Sequence, residues 1–112
     1  MSRLSYFEYV HQILVLNEGY FDYTTQQIIE PVTIGSYDPI SQVYTEVVTI
    51  DSSRFASDII INDGYFYVAA DNKILKYDLN NYILLEETIV PGARNLAISG
   101  DNLFITRGEY MI

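Results

Sequence analysis

Three arginines fall on predicted loops of an acidic chain, and their side chains are the first candidates for ligand chemistry. The sequence has 15 acidic and 6 basic residues, which give a net charge of −9. The arginines on the predicted loops are Arg54, Arg94 and Arg107. A guanidinium group presents a planar fork of donors that matches a carboxylate or phosphate group. One interpretation is a local positive rim that binds an acidic ligand. The alternative, which we favour, is that each arginine binds carbonyl or carboxylate groups between neighbouring sheets.

A long segment between two predicted strands, residues 17–30, is the second candidate. Val15 and Tyr37 lie 22 positions apart, whereas Tyr67 and Tyr77, at matching places further on, lie 10 apart. The difference of 12 residues is an insertion, and binding residues often lie on such loops. This segment and the matching downstream turn supply the candidate ligand-binding residues Asn17, Glu18, Tyr20, Phe21, Tyr23, Asp71 and Asn72.

The insertion admits two interpretations. Tyr20, Phe21 and Tyr23 would stack on a sugar ring or grip a peptide, because tyrosine combines a flat apolar ring with a polar end. Alternatively, the insertion extends a hairpin in which Ile28 and Ile29 cover a sheet edge. We favour this second, structural interpretation.

The other residues of the sequence do not indicate a catalytic site, a metal site or a cofactor site. His11 is the only histidine and the chain has no cysteine, so a histidine-based triad or a thiolate metal site is not expected. Asp38 and Asp78 end matching strands, where an aspartate most often caps a turn. We therefore predict no catalytic residue, no metal ligand and no cofactor. The negative charge also argues against binding to nucleic acid, because phosphate backbones would be repelled.

An internal repeat predicts the elements that position these residues. Ala56 aligns with Ala93 and Phe66 with Leu103, both at an offset of 37 residues, and Tyr37-Asp38 aligns with Tyr77-Asp78 at an offset of 40. Short apolar runs separated by turn residues such as Asp63-Gly64 predict β-strands joined by hairpins. A period near 40 residues that consists of short strands is typical of β-propeller blades.

The repeat divides one all-β domain, residues 1–112, into three predicted blades. The complete blade spans 55–90, with strands at Asp58–Asn62, Tyr65–Ala70, Lys73–Asp78 and Tyr82–Val90. An incomplete blade of three strands spans 12–50, and the start of another spans 93–112. Closed propellers use at least about four blades, so about two and a quarter blades predict a fragment of a larger propeller. The remaining blades of a longer chain would then be its partners.

The repeats resemble a known family. The phrase "FYVAADNKILKYDLNNYILLEETIVPGARNLAISGDNLFITRGEY" is similar to the YVTN-type repeats of bacterial surface-layer β-propellers, and "LVLNEGYF" resembles the opening blade of such propellers in Bacteroidetes secreted proteins and lipoproteins. The likeness covers about Gln12 to Tyr110, and its motif positions are Tyr67–Ala70, Phe104–Arg107 and the two Tyr-Asp pairs. The resemblance implies a cell-envelope or extracellular location. Residues 1–10 carry no apolar core of an export signal, and no apolar run is long enough for membrane insertion.

These observations predict a non-enzymatic binding or scaffold propeller of the cell surface. Its loop face would engage a glycan, a peptide or protein, or an acidic ligand. The alternative is a fragment of a propeller enzyme, of the lyase, hydrolase or quinoprotein type, whose catalytic residues lie mainly in missing blades. A propeller fold alone does not decide between the two, since one fold serves many functions.

Overall fold

The computed structural model of the chain describes the backbone of residues 2–7 and both backbone and side chains of residues 12–108. These residues form twelve β-strands and no helix, which confirms the predicted all-β fold. No helix of this part of the chain is long and apolar enough to cross a membrane. His11 and Tyr110, the last residue of the family likeness, lie outside the described residues. The chain divides into two compact units, Met1–Ala56 and Ser57–Ile112.

The first unit is a four-stranded antiparallel sheet with an added hairpin. Its strands are β1 (Ser2–Phe7), β2 (Gln12–Asn17), β3 (Tyr20–Asp22), β4 (Gln27–Glu30), β5 (Val32–Asp38) and β6 (Val43–Ile50). The sheet has the order β1-β2-β5-β6, and β3 pairs only with β4 among the described strands. The sequence predicts three strands for this sheet, and the fourth is β1, which is antiparallel to β2. The sequence of β1, SRLSYF, has no more than two consecutive apolar residues, so it lacks the apolar run by which the other strands are predicted.

The second unit repeats the four-stranded sheet and adds a hairpin of a different kind. Its strands are β7 (Ala56–Asn62), β8 (Tyr65–Ala70), β9 (Lys73–Asp78), β10 (Leu84–Ile89), β11 (Ala93–Ser99) and β12 (Asn102–Arg107). The sheet has the order β10-β9-β8-β7, and β11 pairs with β12. Strands β8 and β9 have the predicted bounds, and β7 and β10 differ from the predicted bounds by at most two residues.

Turn residues fix the lengths of these hairpins. Asp63 and Gly64 have φ of 52° and 83°, and two central residues with positive φ match the right-handed twist of the strands that they join. The Asp38 carboxylate accepts a hydrogen bond from the Ile40 N–H at 2.8 Å, and that of Asp78 accepts one from the Asn80 N–H at 2.7 Å. Both aspartates therefore cap matching turns, as the sequence predicts.

The strands become more exposed from the middle of the second sheet to its edge. Phe66 and Val68 lie on one face of β8 and Ala69 lies on the other, and all three are fully buried. Every residue of β10, in contrast, is exposed. Ala69 and Ile74 pack with residues of β11, among them Leu96, in a common apolar cluster. The hairpin β11–β12 thus covers one face of the sheet β7–β10.

A buried aspartate joins these two layers, and the sequence analysis does not identify it. Asp58 is only 1% exposed. One carboxylate oxygen accepts a hydrogen bond from the Ile59 N–H at 2.9 Å, and the other accepts one from the Leu96 N–H at 2.8 Å. Beside it, the Ser57 hydroxyl donates to the Arg94 carbonyl at 2.5 Å. Asp58 therefore satisfies a backbone donor of β11 within an otherwise apolar layer.

Replacing Asp58 should destabilise the second unit. Asp58→Ala leaves two N–H groups without this acceptor, and an unsatisfied buried donor costs about 1–3 kcal/mol. We expect the free energy of unfolding to fall by about 3 kcal/mol, measured by urea denaturation. Asp58→Asn retains one acceptor oxygen and should lose roughly half as much. Equal stability of Asp58→Ala and wild type would contradict this role.

Burial also affects a tyrosine in the same unit. The Tyr77 ring stacks on Phe66 with centroids 5.0 Å apart and an interplanar angle of 11°. Desolvation, with a smaller contribution from the negative charge of Glu87, raises the pKa of Tyr77 from 10.0 to about 12. Because the folded state disfavours the phenolate, the unfolded state loses this proton first as the pH rises.

The stability of the protein should therefore decrease between pH 10 and 12. Below pH 10 both states keep the Tyr77 proton, so the group contributes no pH dependence there. The Tyr77 contribution to this decrease reaches about 2 kcal/mol at most. Tyr77→Phe should remove this contribution in urea titrations at each pH, whereas Tyr23→Phe, at an exposed tyrosine, should retain it. A Tyr77→Phe variant with the full wild-type decrease would refute the assignment.

Candidate ligand-binding groove

The hairpin β3–β4 and the segment after β6 form an open groove within the first unit. The groove has a volume of about 510 Å³. It is lined by Glu18, Gly19, Tyr20, Phe21, Asp22, Tyr23, Thr24, Arg54 and Phe55. Five of the ten predicted ligand-binding residues, namely Glu18, Tyr20, Phe21, Tyr23 and Arg54, therefore come together here.

Backbone geometry fixes the direction of β3. Gly19 has φ of 79°, and a Cβ atom at this position would lie 2.7 Å from the Glu30 carbonyl oxygen. Only glycine adopts this conformation without strain, and no side chain fits against the returning strand. At the other end of β3, the Asp22 carboxylate accepts a hydrogen bond from the Thr24 N–H at 2.9 Å. The Gln26 side chain donates to the Tyr23 carbonyl at 2.6 Å. Both ends of the aromatic segment are thus held by local contacts.

The aromatic rings of the groove form a cluster around Arg54. Phe21 and Tyr23 meet edge to face, with ring centroids 4.8 Å apart. The Arg54 guanidinium carbon lies 5.9 Å from the Phe21 centroid and 5.8 Å from the Phe55 centroid. These distances fall in the range of cation–π interactions, which stabilise by about 0.5–1 kcal/mol at exposed sites. Arg54 therefore lies beside two rings of the same groove.

Two tyrosines of the groove lining present aromatic surface to solvent. Tyr20 is 57% exposed and Tyr23 is 63% exposed, whereas Phe21 between them is half-buried. Positions two apart on a strand point to the same side, and the Tyr23 ring accordingly lies beside Phe21. The groove thus has aromatic rings both in its wall and at its open side.

The structural interpretation of the insertion is correct for the backbone and incomplete for the side chains. Residues 20–30 do form a hairpin, in which Phe21 pairs with Ile28. Ile28 is half-buried, but Ile29 is 52% exposed and does not close a sheet edge. A hairpin and a ligand-binding surface are therefore compatible in the same segment.

The other predicted residues of the same loops lie away from the groove lining. Asn17 ends β2, where its amide donates to the Thr33 hydroxyl at 3.1 Å and to the Tyr44 hydroxyl at 3.0 Å. In the second unit, the Asn72 side chain accepts a hydrogen bond from the Gly92 N–H at 3.2 Å. Asp71 has φ of 56° in the same turn. Asn17 and Asn72 thus make contacts within the scaffold.

Arg94 and Arg107 lie close to backbone of the second unit, near the start of β11 and the end of β12. The Arg107 Nε donates to the Pro91 carbonyl at 2.8 Å. Arg94 lies against Gly108, where an added Cβ would collide with its guanidinium group. The Arg107 contact with a carbonyl agrees with the structural interpretation of that arginine. Arg54 belongs to the first unit and the other two to the second, so the common positive rim stays a prediction.

Phe55 is a groove residue that the sequence analysis does not identify. It follows Arg54 directly, in the segment between β6 and β7. The sequence analysis selects residues of that segment by charge and so does not consider its apolar neighbour. An aromatic residue next to an arginine on a predicted loop is the signal that identifies it.

In the part of the chain that the structure describes, no group of three histidine, cysteine or acidic side chains is arranged to hold a metal ion. Comparison of the chain with protein-family models, with curated proteins and with solved structures finds no match. The groove is therefore interpreted from its own geometry and chemistry.

Proposed function

We propose that the chain is a non-enzymatic binding protein whose groove holds a neutral glycan. The observation that carries this proposal is the pair of exposed rings, Tyr20 and Tyr23, at an open groove that also contains Arg54 and two carboxylates. Sugar rings have apolar C–H faces and polar hydroxyl rims. A site for them therefore needs flat aromatic surface together with hydrogen-bonding groups beside it.

The aromatic rings supply the first of these requirements. Tyr20 and Tyr23 are more than half exposed, so stacking of a sugar on either ring removes apolar surface from water. Tyrosine has few rotatable bonds, and little conformational entropy is lost when it is held by a ligand. Phe21 contacts the Tyr23 ring, and Phe21 and Phe55 both lie beside Arg54.

The charged groups of the groove favour a neutral ligand. Glu18 and Asp22 contribute two carboxylates against the single guanidinium group of Arg54, and the whole chain has a net charge of −9. An acidic glycan or phosphorylated ligand would be repelled by this field. Carboxylate and guanidinium groups both form strong hydrogen bonds with hydroxyl groups, which a neutral sugar presents around its ring.

The scaffold of this binding protein is proposed to be a β-propeller of the cell surface. Two consecutive four-stranded antiparallel sheets, followed by a further hairpin, agree with the period of the repeat. The remaining blades of a longer chain would complete it. A surface location would place the groove where extracellular glycans are accessible.

Removing the exposed rings should weaken glycan binding while the fold is retained. For Tyr20→Ala combined with Tyr23→Ala, we expect at least about tenfold weaker binding, since each stacked ring contributes about 0.5–1.5 kcal/mol. The measurement is a glycan array followed by calorimetry with the neutral oligosaccharide that binds best. Phe104→Ala, at an exposed aromatic residue of the second unit, is the matched control.

Three outcomes would decide against the proposal. The array contradicts it if no neutral glycan binds the wild-type chain, or if only acidic glycans bind. Unchanged affinity of the double variant would exclude the groove as the site. Cleavage of the bound oligosaccharide, detected by mass spectrometry, would favour the propeller-enzyme alternative.

A further inference from the structure

Asp22 lies in the groove lining, although the sequence analysis does not select it as a ligand-binding residue. Its side chain is half-buried. One carboxylate oxygen, Oδ1, accepts hydrogen bonds from the Thr24 N–H at 2.9 Å and from the Thr25 N–H at 3.4 Å. Among residues 12–108, the other oxygen, Oδ2, has no hydrogen-bond or ion-pair partner. One oxygen of the carboxylate therefore forms the turn, and the other is open to a ligand.

The same kind of turn follows β9, outside the groove lining. There the Asp78 Oδ1 accepts hydrogen bonds from the Asn80 N–H at 2.7 Å and from the Asn81 N–H at 3.3 Å. Such a turn uses one side-chain oxygen, which asparagine or, more weakly, serine also provides. Asp22 differs from Asp78 in its surroundings, because it lies in the groove with the exposed tyrosines. The turn and the ligand contact can therefore be separated by substitution.

Strand β3 places Tyr20 on the same side as Asp22. Positions two apart on a strand point to the same side, and their Cα atoms lie about 7 Å apart. The pairing of β3 with β4 is irregular, because Ile29 of β4 is an extra residue between two paired positions. Strand β3 itself has no extra residue and keeps its alternation. A sugar that stacks on the Tyr20 ring therefore has its rim of hydroxyl groups close to Asp22.

The chemistry of the groove assigns the selection of hydroxyl groups to Asp22. A carboxylate only accepts hydrogen bonds, so it binds a hydroxyl group and cannot bind an ether oxygen. The Arg54 guanidinium only donates, and hydroxyl and ether oxygens both accept from it. Glu18, the other carboxylate of the lining, already interacts with another group of the protein. Oδ2 of Asp22 is thus the acceptor that distinguishes a free hydroxyl group from a substituted one.

We infer that Asp22 is a specificity-determining residue of the groove, where its Oδ2 accepts a hydrogen bond from one hydroxyl group of a sugar stacked on Tyr20. The groove then selects neutral glycans in which this hydroxyl group is unsubstituted. A deoxygenated or O-methylated sugar leaves the carboxylate oxygen unpaired and binds more weakly, because sites that are built to bind a hydroxyl group reject ligands that lack it. The inference rests on the proposed function, since it concerns the same groove and names the kind of sugar that fits.

Sugar derivatives provide the test. The probes are the methyl glycosides of glucose, galactose and mannose, with monodeoxy derivatives at each hydroxyl position, titrated against the full chain by NMR. For the glycoside that binds best, we expect one monodeoxy derivative to bind at least about tenfold more weakly. Asp22→Ser retains a turn acceptor and removes Oδ2, so it should bind the parent glycoside at least about tenfold more weakly. Its affinity for that monodeoxy derivative should match the wild type, because the derivative makes no contact with Oδ2.

Asp78→Ser is the matched control, because it changes the same kind of turn outside the groove and should bind the parent within about threefold of wild type. Asp22→Asn keeps the turn acceptor and the side-chain shape. It replaces Oδ2 by a donor, so it should also lose the preference for the parent, and it tests the inference where serine weakens the turn.

The outcomes separate the inference from the proposed function. If Tyr20→Ala weakens glycoside binding but every monodeoxy derivative binds the wild type as well as its parent does, the inference is wrong and the proposed function is retained. Parent affinity that is unchanged in both Asp22 variants has the same meaning. If no glycoside binds, or if Tyr20→Ala has no effect on binding, the proposed function fails and the inference fails with it.

Discussion

The structure depends on one constraint: a strand that is apolar on both faces must be covered on both sides. Strand β8 buries Phe66 and Val68 on one face and Ala69 on the other. A single four-stranded sheet leaves its two faces exposed to water unless another layer covers them. Burying a large apolar side chain stabilises the folded state by about 1.5–3 kcal/mol, and this gain requires that the face be covered. The hairpin β11–β12 meets this requirement on the Ala69 side, where Leu96 packs.

Packing the hairpin on the sheet also removes backbone N–H groups from water, and these groups need new hydrogen-bond acceptors. Asp58 supplies them. Its carboxylate accepts the Leu96 N–H from the layer above and the Ile59 N–H from its own strand. The Ser57 hydroxyl makes a second polar contact between the layers, to the Arg94 carbonyl. Apolar packing allows neighbouring layers to slide, whereas a hydrogen bond between specific atoms fixes their register. The two kinds of contact are therefore complementary at this interface.

The sequence predicts the features that are encoded locally. The apolar runs predict β8 and β9 with correct bounds, and the turn chemistry predicts the roles of Asp38 and Asp78. It does not predict features that depend on distant partners. The acceptor role of Asp58 requires a donor 38 positions away, and β3 has only three residues, too few for a periodic pattern. Five candidate residues of the first unit line one groove because they are neighbours along the insertion or flank it in space.

The position of the insertion explains how this groove coexists with a packed sheet. Strands β2 and β5 pair without interruption from Ile13↔Tyr37 to Asn17↔Thr33. The chain leaves the sheet only after the last pair, through Gly19, and returns at Glu30. The Asn17 side chain contacts Thr33 and Tyr44 at this base and closes the end of the ladder. Aromatic residues in the hairpin can therefore change without altering the register of the sheet, because none of the paired positions of β2 and β5 belongs to the hairpin. A hairpin whose side chains can be substituted, and whose ends are fixed by the ladder of β2 and β5, is suited to ligand binding.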